Sequence, residues 1–292
     1  MGDYDVVGNF YGEFLKYTGG DKKGLGIVLT PKHITELFAE LADIKKDSIV
    51  LDPCAGTGGF LISAMHKMLS YTNSKKEECN IKKNNLIGIE QQPNMFALAS
   101  SNMILRGDGK ANLYQASCFD ENIKQEIKTK NCTAGMINPP YSQKDKSGSE
   151  LDFVYNMLDM LTKGGIGIAI IPISCVIQKN TLKEKLLKHH TLVAVLSMPS
   201  DLFYPVGTVT CIVVFQAHIP HKDTNKETWF AYCKDDGHKL LKHQGRVNIS
   251  WQEIKEKWVY NYKNKKEVAG FSVMKMVTAN DEWCAERYME TD

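Results

Sequence analysis

Three short segments carry residue types and spacings suited to chemistry. The first is Asp52-Pro53-Cys54-Ala55-Gly56-Thr57-Gly58-Gly59-Phe60. Glycines in such a turn let the backbone approach a ligand closely, and a helix starting there offers unpaired N–H groups. No Lys-Ser/Thr follows the glycines and the full G-x-G-x-x-G pattern is missing, so this is neither a Walker phosphate loop nor a complete dinucleotide fingerprint. A tight strand-to-helix turn without a ligand would use the same residues. The second is Glu90, which closes the apolar run Leu86-Ile87-Gly88-Ile89. An acid at a strand end can accept hydrogen bonds from ribose hydroxyls. It lies further along than the ~20 residues usual for such an acid, and the polar stretch 72–85 accounts for the excess. The third is Asn138-Pro139-Pro140-Tyr141. An amide oxygen and the Pro139 carbonyl can accept both N–H bonds of an amino group on a conjugated ring, and Tyr141 can stack on that ring. Such a nitrogen is a poor nucleophile because its lone pair is delocalised. Accepting both N–H bonds pushes it toward tetrahedral geometry and offsets the charge that develops as it attacks.

The elements that must hold these segments follow from periodicity. Apolar runs at 48–52, 86–90, 112–116, 134–138, 166–172, 192–198 and 209–216 predict seven strands. Helices are expected at 59–70, 93–106, 152–161 and 181–189. A further helix should start at Thr30-Pro31, with Thr30 as N-cap, Pro31 in the first turn, and Ile34, Leu37, Phe38 and Leu41 on one face. Residues 72–85 are polar and are expected to form an inserted loop. The alternation predicts an α/β fold with one mainly parallel seven-stranded sheet and helices on both faces. All three chemical segments then fall at the C-terminal ends of strands, where such sheets bind ligands. Residues 219–292 hold an expected strand at 228–233, a turn at Asp235-Asp236-Gly237, and Trp251, Trp258 and Trp283. The expected division is an N-terminal segment 1–47, a core 48–218 and an extension 219–292. Cys233, Asp235, Asp236 and His238 are read as a turn between strands, and no metal site is expected.

Composition bounds the class. The 292 residues are 43% apolar and 24% charged, which fits a folded chain holding one large domain, or a domain plus an extension. The longest apolar runs are far short of the ~20 residues that span a bilayer. No basic-then-apolar leader opens the chain, so secretion is not expected. The eight cysteines form no C-x-x-C pair and are read as reduced, in a cytoplasmic protein. Net charge is only +2, although residues 219–270 hold 11 basic groups against 7 acidic. That balance does not by itself argue for nucleic acid.

The order DPCAGTGGF, IGIE, NPPY resembles the S-adenosylmethionine-dependent adenine-N6 DNA methyltransferases, and GIVLTPKHI at 26–34 resembles the extra cofactor motif of their γ-ordered group. The later segments DFVYNML, LTKGGIGIAIIP, LSMPSDLF and TCIVVF are similar to modification subunits of type I restriction-modification systems and their fused relatives. The resemblance covers roughly residues 8–245. It implies a Rossmann-like methyltransferase fold and direct methyl transfer to a flipped adenine in DNA, without a metal. By the same resemblance Asn138 and Pro139 hold the adenine amino group and Tyr141 stacks on the base. Thr30 and Pro31 line the methionine end of S-adenosylmethionine, with Asp52, Gly56 and Gly58 below it, and Glu90 binds the ribose. Many members place an Asp beside the cofactor adenine; here Ser117 or Cys118 occupies that place, with Phe119 contributing by stacking. Phe60 packs behind the pocket. The polar stretch 142–150 has two equal readings from its residues: a flap closing over the base with Lys144 and Lys146 on phosphate, or a plain solvated loop. Implied partners are DNA, a specificity subunit and a restriction subunit, with no membrane. Nothing resembles a target-recognition module, so sequence choice is expected from elsewhere. Against full modification subunits, which add N-terminal and C-terminal helical regions, the chain reads as a fragment or an excised domain. Two rival readings are a protein-glutamine methyltransferase, which shares NPPY but needs neither GIVLTPKHI nor a basic tail, and a non-catalytic cofactor-binding scaffold, against which the intact NPPY argues.

Overall fold

A computed structural model describes residues 29–105, 112–141, 148–242 and 244–289. The glycine-rich stretch 18–26, the start of the GIVLTPKHI segment, and Lys144 and Lys146 lie outside the described residues. The core alternates strands and helices: α1 (Lys32–Leu41), β1 (Val50–Asp52), α2 (Gly59–Leu69), α3 (Lys75–Asn84), β2 (Leu86–Glu90), α4 (Pro93–Leu105), β3 (Leu113–Gln115), α5 (Glu121–Thr129), β4 (Ala134–Ile137), α6 (Glu150–Asp159), β5 (Ile166–Pro172), α7 (Ser174–Ile177), α8 (Thr181–His189), β6 (Thr191–Ser197) and β7 (Thr210–Gln216). After it come α9 (His221–Thr224), β8 (Thr228–Tyr232), β9 (His238–Leu241), β10 (Gly245–Asn248), α10 (Trp251–Lys263), β11 (Ser272–Lys275) and a short 3-10 turn at Ala285–Arg287.

The main sheet runs β11-β8-β6-β7-β5-β4-β1-β2-β3. Strands β1 to β5 pair in parallel, β7 is antiparallel to both β5 and β6, and β8 is parallel to β6. The seven expected strands are all present and mainly parallel, but the sheet has nine. The extra two, β8 and β11, come from the C-terminal segment and widen it beyond β6. Strand side chains alternate between two buried layers. Val50, Ile168, Ile170, Leu196 and Val214 face α1, α2 and α10; Leu51, Ala169, Ile171, Val195 and Val213 face α6 and α8. Both faces are covered, so the strands read as continuous apolar runs. Each Ile, Leu or Val so buried contributes roughly 1.5–3 kcal/mol.

Two local expectations change. Residues 72–85 contain helix α3, not a loop. Ser74 caps it by accepting from the Glu77 amide, Glu77 and Glu78 sit at its start, Lys82 and Lys83 at its end, and only Ile81 is buried. Capping and charge placement hold this helix, without an apolar stripe to mark it. Helix α1 starts one residue later than expected, with Pro31 at the cap position and no side-chain cap. The Thr30 hydroxyl is engaged elsewhere, as described below. Trp251, Trp258 and Tyr262 lie along one stripe of α10 and pack into the α1 layer. Trp283 is fully buried on the opposite face, its indole donating to the Thr278 carbonyl.

Candidate active site

The C-terminal edge of the parallel strands collects the expected segments. Asp52 ends β1, and the chain then turns through the glycines into α2. Gly56 and Gly58 adopt φ of +55° and +85°, a region where side chains with Cβ are strained. The Ala55 amide donates to the Ile89 carbonyl at 2.9 Å, and the Gly58 amide to the Ala55 carbonyl at 2.7 Å. From α4 the buried Asn102 donates to the Thr57 carbonyl at 2.8 Å. Glu90, at the end of β2, braces the same turn: one oxygen accepts the Gly56 amide at 2.9 Å, the other the Gln92 amide at 2.8 Å. Each oxygen keeps a second lone pair, so this bracing is compatible with the expected ribose contact.

Asp52 is fully buried. One oxygen accepts the Cys54 amide at 3.1 Å, and the other is buried with no hydrogen-bond partner. Burial, reinforced by the Glu90 charge and opposed by that single amide, pushes its pKa up to about 8. A buried carboxyl at the start of the glycine turn, with one oxygen unpartnered, fits a ligand whose donor or positive charge would draw off its proton.

β4 ends at Ile137, and Asn138-Pro139-Pro140-Tyr141 follows at the same edge. Asn138 Nδ2 donates to Thr30 Oγ1 at 3.0 Å. This bond joins the segment before α1 to the end of β4 and orients the carboxamide, with Oδ1 as the acceptor on its other branch. Pro139 is buried and Pro140 exposed. The half-buried Tyr141 ring meets Phe203 edge-on, at 6.2 Å between centroids and 86° between planes. Its hydroxyl is buried without a partner, and burial drives the phenol pKa upward. Phe203 belongs to the loop after β6 and is itself buried.

The loop after β3 separates its three candidates. Ser117 is half-buried and accepts the Phe119 amide at 3.2 Å, and Phe119 is exposed with its ring against Phe153 at 4.7 Å. Cys118 instead points into the core. Its carbonyl accepts from Asn156 Nδ2 at 2.7 Å, and its thiol lies against Cys54, whose own thiol is held well above its usual range by that contact and by burial. The Cys118 side chain therefore does not share the surface of Ser117 and Phe119. Phe60 packs on Phe38, ring centroids 4.6 Å apart.

The Asp-Asp-Gly turn forms as expected, with Gly237 donating to Asp235 at 2.9 Å. Asp236 and His238 meet His33 of α1, their ligand-type atoms within 4.8 Å of one another, while Cys233 is buried in the core. Arg246 forks onto both Asp236 oxygens at 2.9 and 2.7 Å, so a guanidinium already balances this carboxylate and a metal would have to displace it. Asn102, Asn156 and the facing role of Phe203 are not evident from the sequence. The buried amides leave no periodic signal, whereas Phe203 stands inside the quoted LSMPSDLF segment.

Sheet order gives a Rossmann-like fold, which the chain shares with solved methyltransferases, among them a class I S-adenosylmethionine-dependent one. Residues 2–290 match the N-6 DNA Methylase family model, and the chain belongs to that family. It is 43% identical over 302 aligned residues to the type II restriction enzyme and methyltransferase RM.BcgI of Heyndrickxia coagulans, covering 99% of this chain and 47% of that protein. It is 26% identical over 265 residues to the type I restriction enzyme StySPI methylase subunit of Salmonella potsdam, covering 80% of this chain and 47% of the relative. The type I restriction-modification methyltransferase subunit of Streptococcus thermophilus superposes with a TM-score of 0.75 at 20% identity, over 98% of this chain and 64% of that one. The chain thus spans about half the length of the curated relatives it matches.

Proposed function

We propose that the chain transfers a methyl group from S-adenosylmethionine to N6 of an adenine in DNA, as the modification component of a restriction-modification system. The observation that carries this reading is Asn138. Its amide is oriented by Thr30 at the mouth of β4, beside the glycine turn, with the Tyr141–Phe203 pair next to it. Family membership and the methyltransferase named among the relatives support it.

The residues present fit the cofactor. Asp52 offers a buried carboxyl oxygen without a hydrogen-bond partner, Glu90 keeps spare lone pairs beside the turn, and Phe119 presents an exposed ring. Thr30 and Pro31 would hold the methionine end, Asp52, Gly56 and Gly58 the turn beneath it, Glu90 the ribose, and Ser117 and Phe119 the adenine. When bound, the cofactor supplies a sulfonium-activated methyl carbon. Asn138 Oδ1 and the Pro139 carbonyl accept the two N–H bonds of the target amine and stabilise positive charge as it develops. Tyr141 stacks on the base, which must leave the duplex to arrive there.

In this reading residues 48–218 are the catalytic core, residues 1–47 bring the cofactor motif, and residues 219–292 complete and brace the sheet. DNA, a specificity subunit and a restriction subunit are its partners in the cytoplasm, and most DNA grip lies on those partners. Among the described residues no helix is long and apolar enough to cross a membrane.

The test is Asn138→Ala. Calorimetric titration should show one-to-one S-adenosylmethionine binding to both chains. Transfer of labelled methyl to adenine in duplex DNA should fall on the order of 10²–10³-fold in the variant. Label appearing on protein glutamine instead of DNA, or cofactor affinity collapsing together with transfer, would overturn the assignment.

A further inference from the structure

A second set of paired residues lies outside the transfer site and reaches two segments that flank it. The Asp236 side chain is 1% exposed and four donors converge on it. Oδ2 accepts His33 Nε2 at 2.8 Å and one Arg246 nitrogen at 2.9 Å; Oδ1 accepts the other Arg246 nitrogen at 2.7 Å and the His238 amide at 3.2 Å. Arg246 Nε lies 3.2 Å from Asp201 Oδ2. The His33 ring is stacked on His238 at 4.1 Å and meets Trp251 edge-on at 5.1 Å. Bidentate, mostly buried pairing of this kind fixes geometry far better than an exposed ion pair does.

The network ends on two segments that flank Asn138-Pro139-Pro140-Tyr141. His33 stands in the first turn of α1, beside Thr30 and Pro31, and Thr30 takes the Asn138 amide. Asp201 opens the turn that carries Phe203, and Phe203 meets Tyr141. One branch therefore reaches the Asn138 side and the other the Tyr141 side, and both start from the β9–β10 hairpin, whose strands pair His238 to Asn248 and Leu241 to Gly245.

We propose that Asp236 and Arg246 are positioning residues: through His33 and Asp201 the hairpin holds Thr30 and Phe203 in register on either side of the Asn-Pro-Pro-Tyr segment. What they position rests on the proposed function; that they couple the two segments does not. A coupled pair of clamps makes the amide acceptor and the ring face available together, which a two-point recognition of a flipped base requires.

The test is amide hydrogen exchange on the full chain without DNA or cofactor. The reporting amides are Leu202, Tyr204 and Val206 in the loop, and Ile34 and Thr35 in α1, all hydrogen-bonded locally. Asp201→Asn should speed exchange about tenfold in the loop alone, and His33→Gln in α1 alone. Asp236→Asn should speed both. Arg246→Lys, which keeps the charge but loses the fork, should behave as Asp201→Asn. Exchange in β4 and β5 serves as the control for general loosening. Asp236→Asn leaving both segments within twofold of the parent, or accelerating β4 and β5 equally, overturns the proposal. In single-turnover transfer to DNA, Asp236→Asn should lose about tenfold in rate while cofactor affinity changes less. A parent chain that binds no S-adenosylmethionine and methylates no DNA would refute the proposed function and leave the exchange result to decide the coupling.

Discussion

Asp52 makes the stability of this chain depend on pH in a direction opposite to most carboxylates. Folded, it keeps its proton up to about pH 8, because it is fully buried with a single amide donor. Unfolded, it loses that proton near pH 4. Between those values the unfolded state releases a proton that the folded state retains, so raising the pH favours unfolding by ~1.4 kcal/mol per unit. The contribution is absent below about pH 4 and stops growing above about pH 8. Asp52→Asn keeps the shape and the acceptor for the Cys54 amide but cannot ionise. It places an NH2 where the unpartnered oxygen was, a cost of about 1–3 kcal/mol that does not vary with pH. Absolute stabilities are therefore a poor readout and slopes a good one. Urea denaturation followed by circular dichroism at about pH 5 and about pH 7 should show the parent losing roughly 3 kcal/mol more than the variant across that interval, every other titrating group being common to both. Parallel stability curves would refute the reasoning and mean that Asp52 is ionised in the folded chain.

Four other outcomes are expected. Tyr141→Phe should leave stability within about 0.5 kcal/mol and preserve methyl transfer, because the buried hydroxyl has no partner to lose. Tyr141→Ala should weaken engagement of the target base by ~1–3 kcal/mol, read from the DNA dependence of transfer. Gly58→Ala should cost about 1–2 kcal/mol in urea denaturation, since φ is +85° there while a new methyl would only touch Met103 Sδ at an ordinary 3.7 Å. Lys183→Met should destabilise by roughly 1–3 kcal/mol in the same assay: the ammonium donates to the Val176 and Asp281 carbonyls at 2.9 and 2.6 Å and lies 4.7 Å over Trp283, and the variant takes the donor from the Asp281 carbonyl while Val176 keeps the Trp283 amide at 3.1 Å. An unchanged midpoint would show that the Asp281 carbonyl finds another partner.

Local pattern is enough to set the alternation of strands and helices, and with it the edge on which the chemistry lies. A strand buried on both faces must be an apolar run, and glycines or prolines must end it where the chain turns. The positions of Gly56, Gly58, Glu90 and Asn138 at strand ends were therefore legible from local pattern. Signals that depend on partners were not. Thr30 has the chemistry of a helix cap, yet it binds Asn138, more than a hundred residues away. Cys118 and Ser117 are adjacent in sequence, and only packing against Cys54 and Asn156 turns one inward. Strands β8 and β11 became part of the main sheet because β6 exposed a pairing edge. The network from His33 through Asp236 and Arg246 to Asp201 joins three distant segments. Local patterns report backbone preference and burial. Which side chain meets which is set by sheet order, which places β4 beside β1 and brings the hairpin back over α1, and that order exists only once the chain has folded.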